Sequence, residues 1–289
     1  MDFTIVTPSH RQLDHLACGI ASVADQEGVS VEHIVQDAGS EGFDEFSGKM
    51  KTRWPDRPNY RRTMVSEPDQ GMYDAINKGW KRGTGQICAY LNCDEQYLPG
   101  TLRKIREVFR SESQAEICYG GFLVVDVRGN PVTIQRPVRL FWPHLATSHL
   151  ANFTCATFFR RSLLERHQAW LDPTYTACAD ALWNLERLRS GVRSVLLPDC
   201  VSVFRQTGNN RGLTPESLAE RKRIARLVPL WVRMGKPVWT TIHRILKLTA
   251  GGYFPRKIEY SLWQSGGDVS RVRHGPVWAH GLWWERLWL

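Results

Sequence analysis

Hydrophobic and polar positions change their period several times along the first hundred residues. Apolar and β-branched side chains fill 3–7 before a proline ends the run, so we predict a buried strand there. Residues 12–25 carry apolar side chains at helical spacing, and 31–35 is strand-like again. A helix over 71–82 and a strand over 86–91 follow. The alternation predicts an α/β fold with a mainly parallel central sheet flanked by helices.

Each of the three predicted strands ends in a polar loop. The loops are Thr7-Pro8-Ser9, Asp37-Ala38-Gly39-Ser40 and Asn92-Cys93-Asp94-Glu95. Ligands of open α/β sheets bind beyond the carboxyl ends of the strands, so we expect the three loops to converge on one crevice. Any α/β fold has polar loops at this edge, so the pattern alone does not identify the ligand.

Charge divides the 289 residues into two unequal parts. The formal net charge is +9, and residues 216–289 contribute +8 of this charge. The same residues contain seven of the 12 tryptophans. We therefore predict a near-neutral domain over 1–212 and a basic, Trp-rich helical extension over 213–289. Because 42% of the residues are hydrophobic, disorder is excluded for most of the chain.

Other features of the sequence restrict where the protein is expected. The first ten residues have no basic region or long apolar run, so we expect no secretory signal. The uncharged window 140–159 is broken by Pro143 and Asn152 and is not expected to span a bilayer. Seven cysteines without a C-x-x-C pair indicate neither disulfides nor zinc, and the scattered histidines are expected in packing or on the surface. We expect a cytoplasmic protein, either free or peripheral on the inner face of the cell membrane.

A set of sequence motifs is specific enough to suggest a family. The motifs are IVTPS at 5–9, QDAGS at 36–40, SEPDQGMYDAINKG at 66–79, TGQI at 84–87, LNCDE at 91–95, ATFFRR at 156–161, AD at 179–180 and FRQTG at 204–208. Together they closely resemble the family-2 glycosyltransferases of the GT-A fold, especially bacterial enzymes that build O-antigen and exopolysaccharide. The resemblance covers about residues 1–210.

The resemblance implies both a reaction and a cofactor. Such an enzyme transfers sugar from a nucleotide-diphosphate sugar to a hydroxyl of a glycan or lipid-linked acceptor, with inversion at the anomeric carbon. A divalent cation, Mn²⁺ or Mg²⁺, neutralises charge on the departing diphosphate. Asp94 matches the last aspartate of the family's D-x-D-like motif and is the implied metal ligand. Asn92 stands where many relatives have Asp, and we expect Asn92 and Cys93 to contact the donor beside Asp94.

Asp37 matches the family residue that accepts a hydrogen bond from a ring NH of the nucleotide base. A carboxylate only accepts hydrogen bonds, which suits the imide of uracil and favours a UDP-sugar, and a guanine ring NH also fits. Thr7, Pro8 and Ser9 would line the same base. The competing interpretation is an Asx turn, in which Asp37 bonds its own backbone.

The 66–79 motif implies further donor contacts at the start of a helix. Gly71 lets backbone N–H groups approach a phosphate or sugar, and Asp74 and Asn77 share one helical face. We expect all three residues to bind the donor. The alternative for Asp74 is an ordinary surface ion pair with Lys78, four residues later.

An inverting transfer also needs a general base to take the proton of the acceptor hydroxyl. Asp180 is the candidate, because it resembles the acid that precedes a helix in the second half of the family. Relatives often carry two acids here, whereas this chain has Ala179 and Ala181 on either side. Asp180 is alternatively the N-cap of that helix.

The basic extension contains a predicted amphipathic helix over 236–249. Its apolar side chains share one face: Val238, Trp239, Ile242, Ile245 and Leu246. That face suits an anionic membrane surface, and it equally suits packing on the first domain or on a second subunit. The terminal tryptophans 278, 283, 284 and 288 likewise favour contact with a membrane, an acceptor or a partner.

Other functions stay open at this point. A nucleotidyltransferase would show a Gly-rich loop after the first strand, which this sequence lacks. A nucleic-acid binder would use the basic extension in a salt-sensitive way, but we expect no nucleic-acid partner. A non-catalytic nucleotide-sugar-binding protein is kept open by Asn92 and Ala179.

The sequence does not define the oligomeric state. The loop 206–211 resembles a mobile loop over the donor, with Arg211 as a candidate phosphate contact.

Overall fold

Strands and helices alternate strictly over the first ninety residues. The computed structural model describes residues 1–208, 214–265 and 268–282. The elements of the first part are β1 (Phe3–Ser9), α1 (Leu13–Ala24), β2 (Val31–Asp37), α2 (Phe43–Arg53), β3 (Tyr60–Ser66), α3 (Met72–Arg82) and β4 (Ile87–Tyr90). The five predicted elements are confirmed with small changes at their ends, and α2 and β3 are additional.

These four strands form a parallel sheet in the order β3-β2-β1-β4. Every residue of β1 is buried, as expected for a strand covered by helices on both faces. The register places Ser9, Asp37 and Ser66 side by side where the three strands end. The strand register therefore already brings the ends of β1 and β2 together at one edge of the sheet, as the predicted convergence of their loops requires.

The second part of the chain extends the same sheet with antiparallel and parallel pairs. Its elements are β5 (Gln96–Tyr97), α4 (Thr101–Ser111), β6 (Ile117–Val125), β7 (Pro131–Gln135), α5 (Trp142–Thr147), β8 (Thr157–Arg160), α6 (Ser162–His167), α7 (Ala179–Arg189) and β9 (Ser194–Arg205). The full order is β3-β2-β1-β4-β8-β6-β9-β5, with β7 beside β6. The predicted α/β class with a helix-flanked sheet is confirmed.

Close packing of α3 on β1 fixes the position of the loop that precedes the helix. A Cβ atom on Gly79 would lie 2.5 Å from Cγ1 of Val6, so only glycine lets the helix approach the strand this closely. Trp80 follows in the core, where its ring meets Phe159 edge-on at 5.0 Å and its Nε1 donates to the Ala89 carbonyl at 3.2 Å. The N-terminus of α3 is thereby held at the edge of the sheet.

The C-terminal segment contains helices followed by a hairpin. Its elements are α8 (Pro215–Arg226), α9 (Leu230–Met234), α10 (Lys236–Thr249), β10 (Arg256–Ser265) and β11 (Val269–Ala279). The predicted helix over 236–249 is confirmed at both ends. The expectation of an entirely helical extension was wrong for the hairpin. Alternation of Ile258, Tyr260 and Leu262 with polar residues gives β10 a period of two, which favours a strand with one buried face.

Both halves of this segment pack on the first 205 residues. Trp263 of β10 meets Trp54 edge-on at 6.1 Å, and the Gln96 side chain pairs with the Trp263 backbone N–H and carbonyl at 2.8 Å each. On the other side, Lys247 of α10 donates to Gln135 Oε1 at 2.7 Å.

Among the described helices, none combines the length and the apolar character that crossing a bilayer requires. Trp278 is described and exposed, whereas Trp283, Trp284, Trp288 and the candidate phosphate contact Arg211 lie outside the described residues.

Candidate active site

A large cleft opens at the carboxyl ends of the parallel strands. Its volume is about 1180 Å³. The walls come from the loops after β1, β2 and β4, the loop before α3, the end of α5, the start of α7 and helix α8. Seven predicted site residues line it: Pro8, Ser9, Gly71, Asn92, Cys93, Asp94 and Asp180. Four others do not: Thr7, Asp37, Asp74 and Asn77.

The loop after β4 places two adjacent acids at the cleft. Burial raises the pKa of Asp94, and the charges of His15 and Arg205 act against that rise. Burial, followed by the charge of Asp94, raises the pKa of Glu95 to about 8. Glu95 Oε2 accepts the Asn92 N–H at 2.9 Å and so closes the turn that presents Asp94. Burial therefore favours the protonated form at both carboxyl groups, and the negative charge of Asp94 adds to this effect at Glu95.

The donor set of this wall fits a hard cation. Asn92 Oδ1 and Ser9 Oγ are buried and have no hydrogen-bond partner within the described part of the chain. Buried oxygens without partners are costly, so a ligand that engages them is favoured. Carboxylate, amide and hydroxyl oxygens are the ligand types that Mg²⁺ and Mn²⁺ prefer. Asp94, with these two neutral oxygens on the same cleft, is therefore chemically suited to such an ion.

Asp180 occupies the second position of α7 and not its N-cap, which is Cys178. Its Oδ1 accepts the Ala181 N–H at 2.9 Å and the Tyr73 hydroxyl at 3.3 Å. Burial nevertheless raises the pKa of Asp180 to about 6, because these donors only partly offset the loss of water. A carboxyl group with a pKa close to neutrality is suited to exchange a proton with a bound hydroxyl.

The residue that fixes the approach to Asp180 comes from the C-terminal segment. The Glu220 carboxylate of α8 accepts the backbone N–H groups of Thr176, Ala177 and Cys178 at 2.6, 3.0 and 2.8 Å. These bonds pin the loop that leads into α7. The sequence gives no local signal for this role, because Glu220 lies forty positions beyond Asp180 and outside the family motifs.

Asp37 lies beneath the cleft wall. It is fully buried, and its oxygens accept the Ser40 N–H and hydroxyl, both at 2.7 Å, and the Ser66 hydroxyl at 3.0 Å. Asp37 thus bonds its own loop, as in the competing interpretation, although its backbone partner is the N–H three residues on and not two residues on, as in an Asx turn. Asp37 fixes the loop after β2, from which Ala38 reaches the cleft.

Thr7, Asp74 and Asn77 make structural contacts. The Thr7 hydroxyl pairs with His33 Nε2 at 2.9 Å inside the sheet. Asp74 accepts the Gln70 N–H at 3.0 Å and pairs with Lys78 at 3.1 Å, the alternative given above. Asn77 exchanges two hydrogen bonds with the Leu171 backbone, at 2.7 and 3.1 Å.

Gly71 is the part of the 66–79 motif that reaches the cleft. Its φ of +115° is a conformation that favours glycine, and it directs the chain into α3. Its N–H donates to Asp69 Oδ1 at 2.8 Å. Two cations that the motifs did not single out, Arg11 and Arg221, also line the cleft and can meet an anionic ligand.

Comparison with known proteins supports the fold. The structure of S. aureus TarS 1-349 in complex with UDP-GlcNAc aligns with 86% of this chain and 73% of that chain, at a TM-score of 0.61 and 14% identity. The mannosyltransferase PcManGT from Pyrobaculum calidifontis, in complex with GDP-Man and Mn²⁺, aligns with 86% of this chain and 77% of that chain, at a TM-score of 0.53 and 14% identity. At these identities the likeness shows the fold alone, and the expected GT-A fold is confirmed.

Sequence comparison identifies the family. An uncharacterized glycosyltransferase of Nostoc sp. (strain PCC 7120) is 25% identical over 137 residues, which are 47% of this chain and 40% of that protein. The chain thus spans less than half the length of this curated relative. The model of glycosyl transferase family 2 matches residues 4–167, where the β1, β2 and β4 loops and the 66–79 motif lie. Since the matched residues make up more than half of the chain, the protein belongs to glycosyl transferase family 2.

Proposed function

We propose that the protein is an inverting glycosyltransferase that uses a nucleotide-diphosphate sugar, with UDP-sugars favoured. Its acceptor would be a hydroxyl of a glycan or lipid-linked glycan in cell-envelope polysaccharide synthesis. The observation that carries the proposal is that Asp94 and Asp180, far apart in sequence, line one cleft. Its volume of about 1180 Å³ exceeds that of most small-molecule pockets, roughly 300–1,000 Å³, and leaves room for donor and acceptor together.

In the proposed reaction, Asp180 takes the proton of the acceptor hydroxyl. The acceptor oxygen forms a bond to the anomeric carbon, the bond between that carbon and the diphosphate oxygen breaks, and the nucleoside diphosphate leaves with the electron pair. The Tyr73 hydroxyl and the Ala181 N–H both donate to Oδ1 of Asp180, so neither of them occupies Oδ2. Both bonds favour the ionised carboxylate and hold its plane.

The leaving diphosphate needs positive charge on the opposite wall. A bound Mn²⁺ or Mg²⁺ supplies it as a Lewis acid. Asp94 would hold the ion, with Asn92 as a neutral oxygen donor from the same loop. Arg11 and Arg221 are placed to share the charge of the phosphates.

The base of the nucleotide would lie against Pro8, Ser9 and Ala38. Asp37, directly beside Ser9 in the strand register, reaches a ring NH only if the Ser40 hydroxyl turns away from it. The preference for uracil rests on the acceptor-only chemistry of Asp37 and on the complexes of TarS with UDP and UDP-GlcNAc. Since the mannosyltransferase structure is a complex with GDP-Man, guanine nucleotides belong in any screen.

A donor screen tests the proposal. Thermal shifts of the full chain are measured with UDP-, GDP- and dTDP-sugars, with and without Mn²⁺, and release of nucleoside diphosphate is then followed for each stabilising donor. We expect one nucleotide class to stabilise the chain more with Mn²⁺ than without it. Asp94→Asn should remove the metal-dependent part, and Asp44→Asn, a change at an exposed carboxylate of α2, should leave it intact.

A second candidate, a non-catalytic nucleotide-sugar-binding protein, is favoured by Asn92 in place of an acid. Donor binding with no release of nucleoside diphosphate at any pH or metal would establish it and end the enzymatic proposal. Absence of binding by every nucleotide sugar would end both. Salt-sensitive binding to DNA or RNA would instead support the nucleic-acid alternative.

We also propose that the protein binds the anionic inner face of the cell membrane through α9 and α10. Of the predicted apolar face of α10, Trp239 and Leu246 are half-buried, whereas the other three residues are exposed. Together with neighbouring residues they form a row of exposed apolar side chains: Trp231, Met234, Val238, Ile242, Ile245 and Leu248. Arg233, Lys236 and Arg244 flank this row. Apolar area beside cations matches a lipid surface with negative headgroups, for which each cation contributes about 1 kcal/mol.

Vesicle sedimentation tests this association. We expect the chain to sediment with vesicles that contain phosphatidylglycerol, to bind pure phosphatidylcholine weakly, and to dissociate at high salt. Val238→Glu with Ile245→Glu should reduce binding at least tenfold. Val127→Glu, at an equally exposed apolar residue of the β6–β7 turn, is the matched control. Equal binding by the control and the double variant would refute the proposed surface.

A further inference from the structure

Three histidines from distant parts of the sequence form a cluster behind the cleft wall. His144 lies on α5, His149 follows it, and His243 lies on α10. Their candidate ligand nitrogens all lie within 4.8 Å of one another. The rings of His144 and His243 stack at 4.1 Å, and His149 meets both edge-on at 5.0 and 5.6 Å. His149 also lines the cleft.

One ring nitrogen of the cluster lacks a hydrogen-bond partner. His144 is 1% exposed, and its Nε2 is buried without a partner among the described residues. Such a group costs free energy unless a ligand engages it. Burial also lowers the pKa of His144 to about 3 and that of His243 to about 4. Both imidazoles are therefore neutral at physiological pH, which is the form that binds metals.

We propose that His144, His149 and His243 form a metal site for a borderline first-row dication such as Zn²⁺. Imidazole ligands suit Zn²⁺, Ni²⁺ and Cu²⁺, whereas Mg²⁺ and Mn²⁺ prefer oxygen. The site is thus chemically distinct from the oxygen donors around Asp94. Three protein ligands leave a fourth position for water or an anion.

Binding of the ion would require the three imidazole rings to move slightly closer together. Zn–N bonds of about 2.0–2.1 Å place tetrahedral ligand nitrogens roughly 3.3 Å apart, so the present spacing of up to 4.8 Å must shrink by up to about 1.5 Å. One ring of the His144–His243 stack must turn to direct its lone pair at the ion. Besides burial, the charge of Lys236 lowers the pKa of His144, and the charges of Lys247 and Arg244 lower the pKa of His243. Their charge favours an anion in the fourth position.

Binding would join α10 to the cleft wall. Residues after His144 on α5 line the cleft, and α10 carries the exposed apolar row, so the ion would link the two surfaces. The inference does not depend on glycosyl transfer, because it concerns binding of a metal to the free chain.

Metal binding to the chelator-treated full chain tests the site. Titration with Co²⁺ is followed by visible absorption, and titration with Zn²⁺ by calorimetry and thermal shift. We expect one equivalent of Co²⁺ to give the intense bands of a four-coordinate nitrogen site, and Zn²⁺ to displace it. His149→Gln and His243→Gln should each weaken Zn²⁺ binding at least tenfold. Asp94→Asn and His280→Gln, a change at an exposed histidine of the hairpin end, should bind as the wild type does.

The wild-type spectrum keeps the test valid if a variant fails to fold. Absence of stoichiometric Co²⁺ and Zn²⁺ binding by the wild-type chain would overturn the proposal. So would binding that survives in folded His149→Gln and His243→Gln, or binding that Asp94→Asn removes. Loss of sugar transfer in Asp94→Asn with Zn²⁺ binding retained would uphold the histidine site and separate it from the proposed function.

Discussion

Replacing Asp180 by asparagine should stabilise the protein while it abolishes sugar transfer. Asparagine keeps an oxygen that accepts from Tyr73 and from the Ala181 N–H, so the packing of α7 is preserved. What disappears is the charge. Because burial raises the pKa of Asp180 from an ordinary 3.8 to about 6, the folded state holds this carboxylate at a free-energy cost.

The size of that cost follows from the two pKa values. Each pKa unit corresponds to about 1.4 kcal/mol, so the difference of roughly two units amounts to about 3 kcal/mol. Below pH 4 both states are protonated and the cost vanishes. As pH rises from about 4 to 6 the unfolded chain loses its proton first, so stability falls, and above pH 6 the full cost is present. Asp180→Asn should therefore melt about 6 °C higher at pH 8 and nearly unchanged at pH 4, taking roughly 2 °C per kcal/mol.

The activity of Asp180→Asn should decrease although its stability increases. Loss of a general base reduces kcat by about 10²–10⁴-fold, and donor binding should be retained, because the proposed base acts on the acceptor and not on the donor. In the wild type, kcat/KM should rise with pH through about 6, as the base ionises. Calorimetric melts at pH 4 and pH 8, donor titrations and pH–rate profiles measure these effects, with Asp44→Asn as the control. Equal melting of Asp180→Asn and wild type at pH 8, or weakened donor binding alone, would refute the reasoning.

Three further substitutions test other parts of the site. Asp94→Asn should lower turnover at least about 10³-fold. It should also raise the melting temperature at pH 8, because burial raises the pKa of Asp94 as it raises that of Asp180, and near-wild-type activity would contradict the metal assignment. Glu220→Ala should lower kcat and reduce the free energy of unfolding by about 2 kcal/mol, with partial rescue by Glu220→Gln; unchanged kcat would exclude a positioning role. Asn77→Ala should reduce the unfolding free energy by about 2 kcal/mol, because it removes the two hydrogen bonds to the Leu171 backbone. The KM for the donor should stay within twofold of wild type, and a larger increase in KM would support the predicted contact between Asn77 and the donor.

Local periodicity was sufficient to predict most of the parallel half of the fold, although α2 and the parallel strand β3 were missed. The helices and strands that carry the cleft loops have strong patterns, because β1 and β4 are buried on both faces and α3 has one apolar face. The hairpin β10–β11 was missed although Ile258, Tyr260 and Leu262 alternate with polar residues. The basic, Trp-rich composition of this segment favoured a surface-binding helix, although the alternation with a period of two indicates a strand.

The motifs located the cleft but did not separate its wall from the layer that supports it. Gly71, Asp94 and Asp180 reach the cavity, while Asp37 and Asn77 from the same motifs bond to neighbouring serines and backbone. A sequence shows which residue types occur together, but it does not show which side of a loop each one faces. Asp37 illustrates the point, since an acceptor-only carboxylate serves a base NH and a serine hydroxyl equally well.

The contacts of Glu220 and His243 could not be predicted from the sequence. Each joins segments that are far apart along the chain, and no sequence pattern relates such segments. Glu220 reaches back to the loop before Asp180, and His243 reaches back to His144, both across the boundary predicted at residue 212. These contacts depend on how α8 and α10 pack against α5 and α7. The C-terminal segment therefore supplies a carboxylate that pins the loop leading to the proposed base and a ring that completes the histidine cluster. Removing it would expose the apolar side chains of α5 and release the 176–178 loop, so the part of the cleft around Asp180 depends on residues outside the family match.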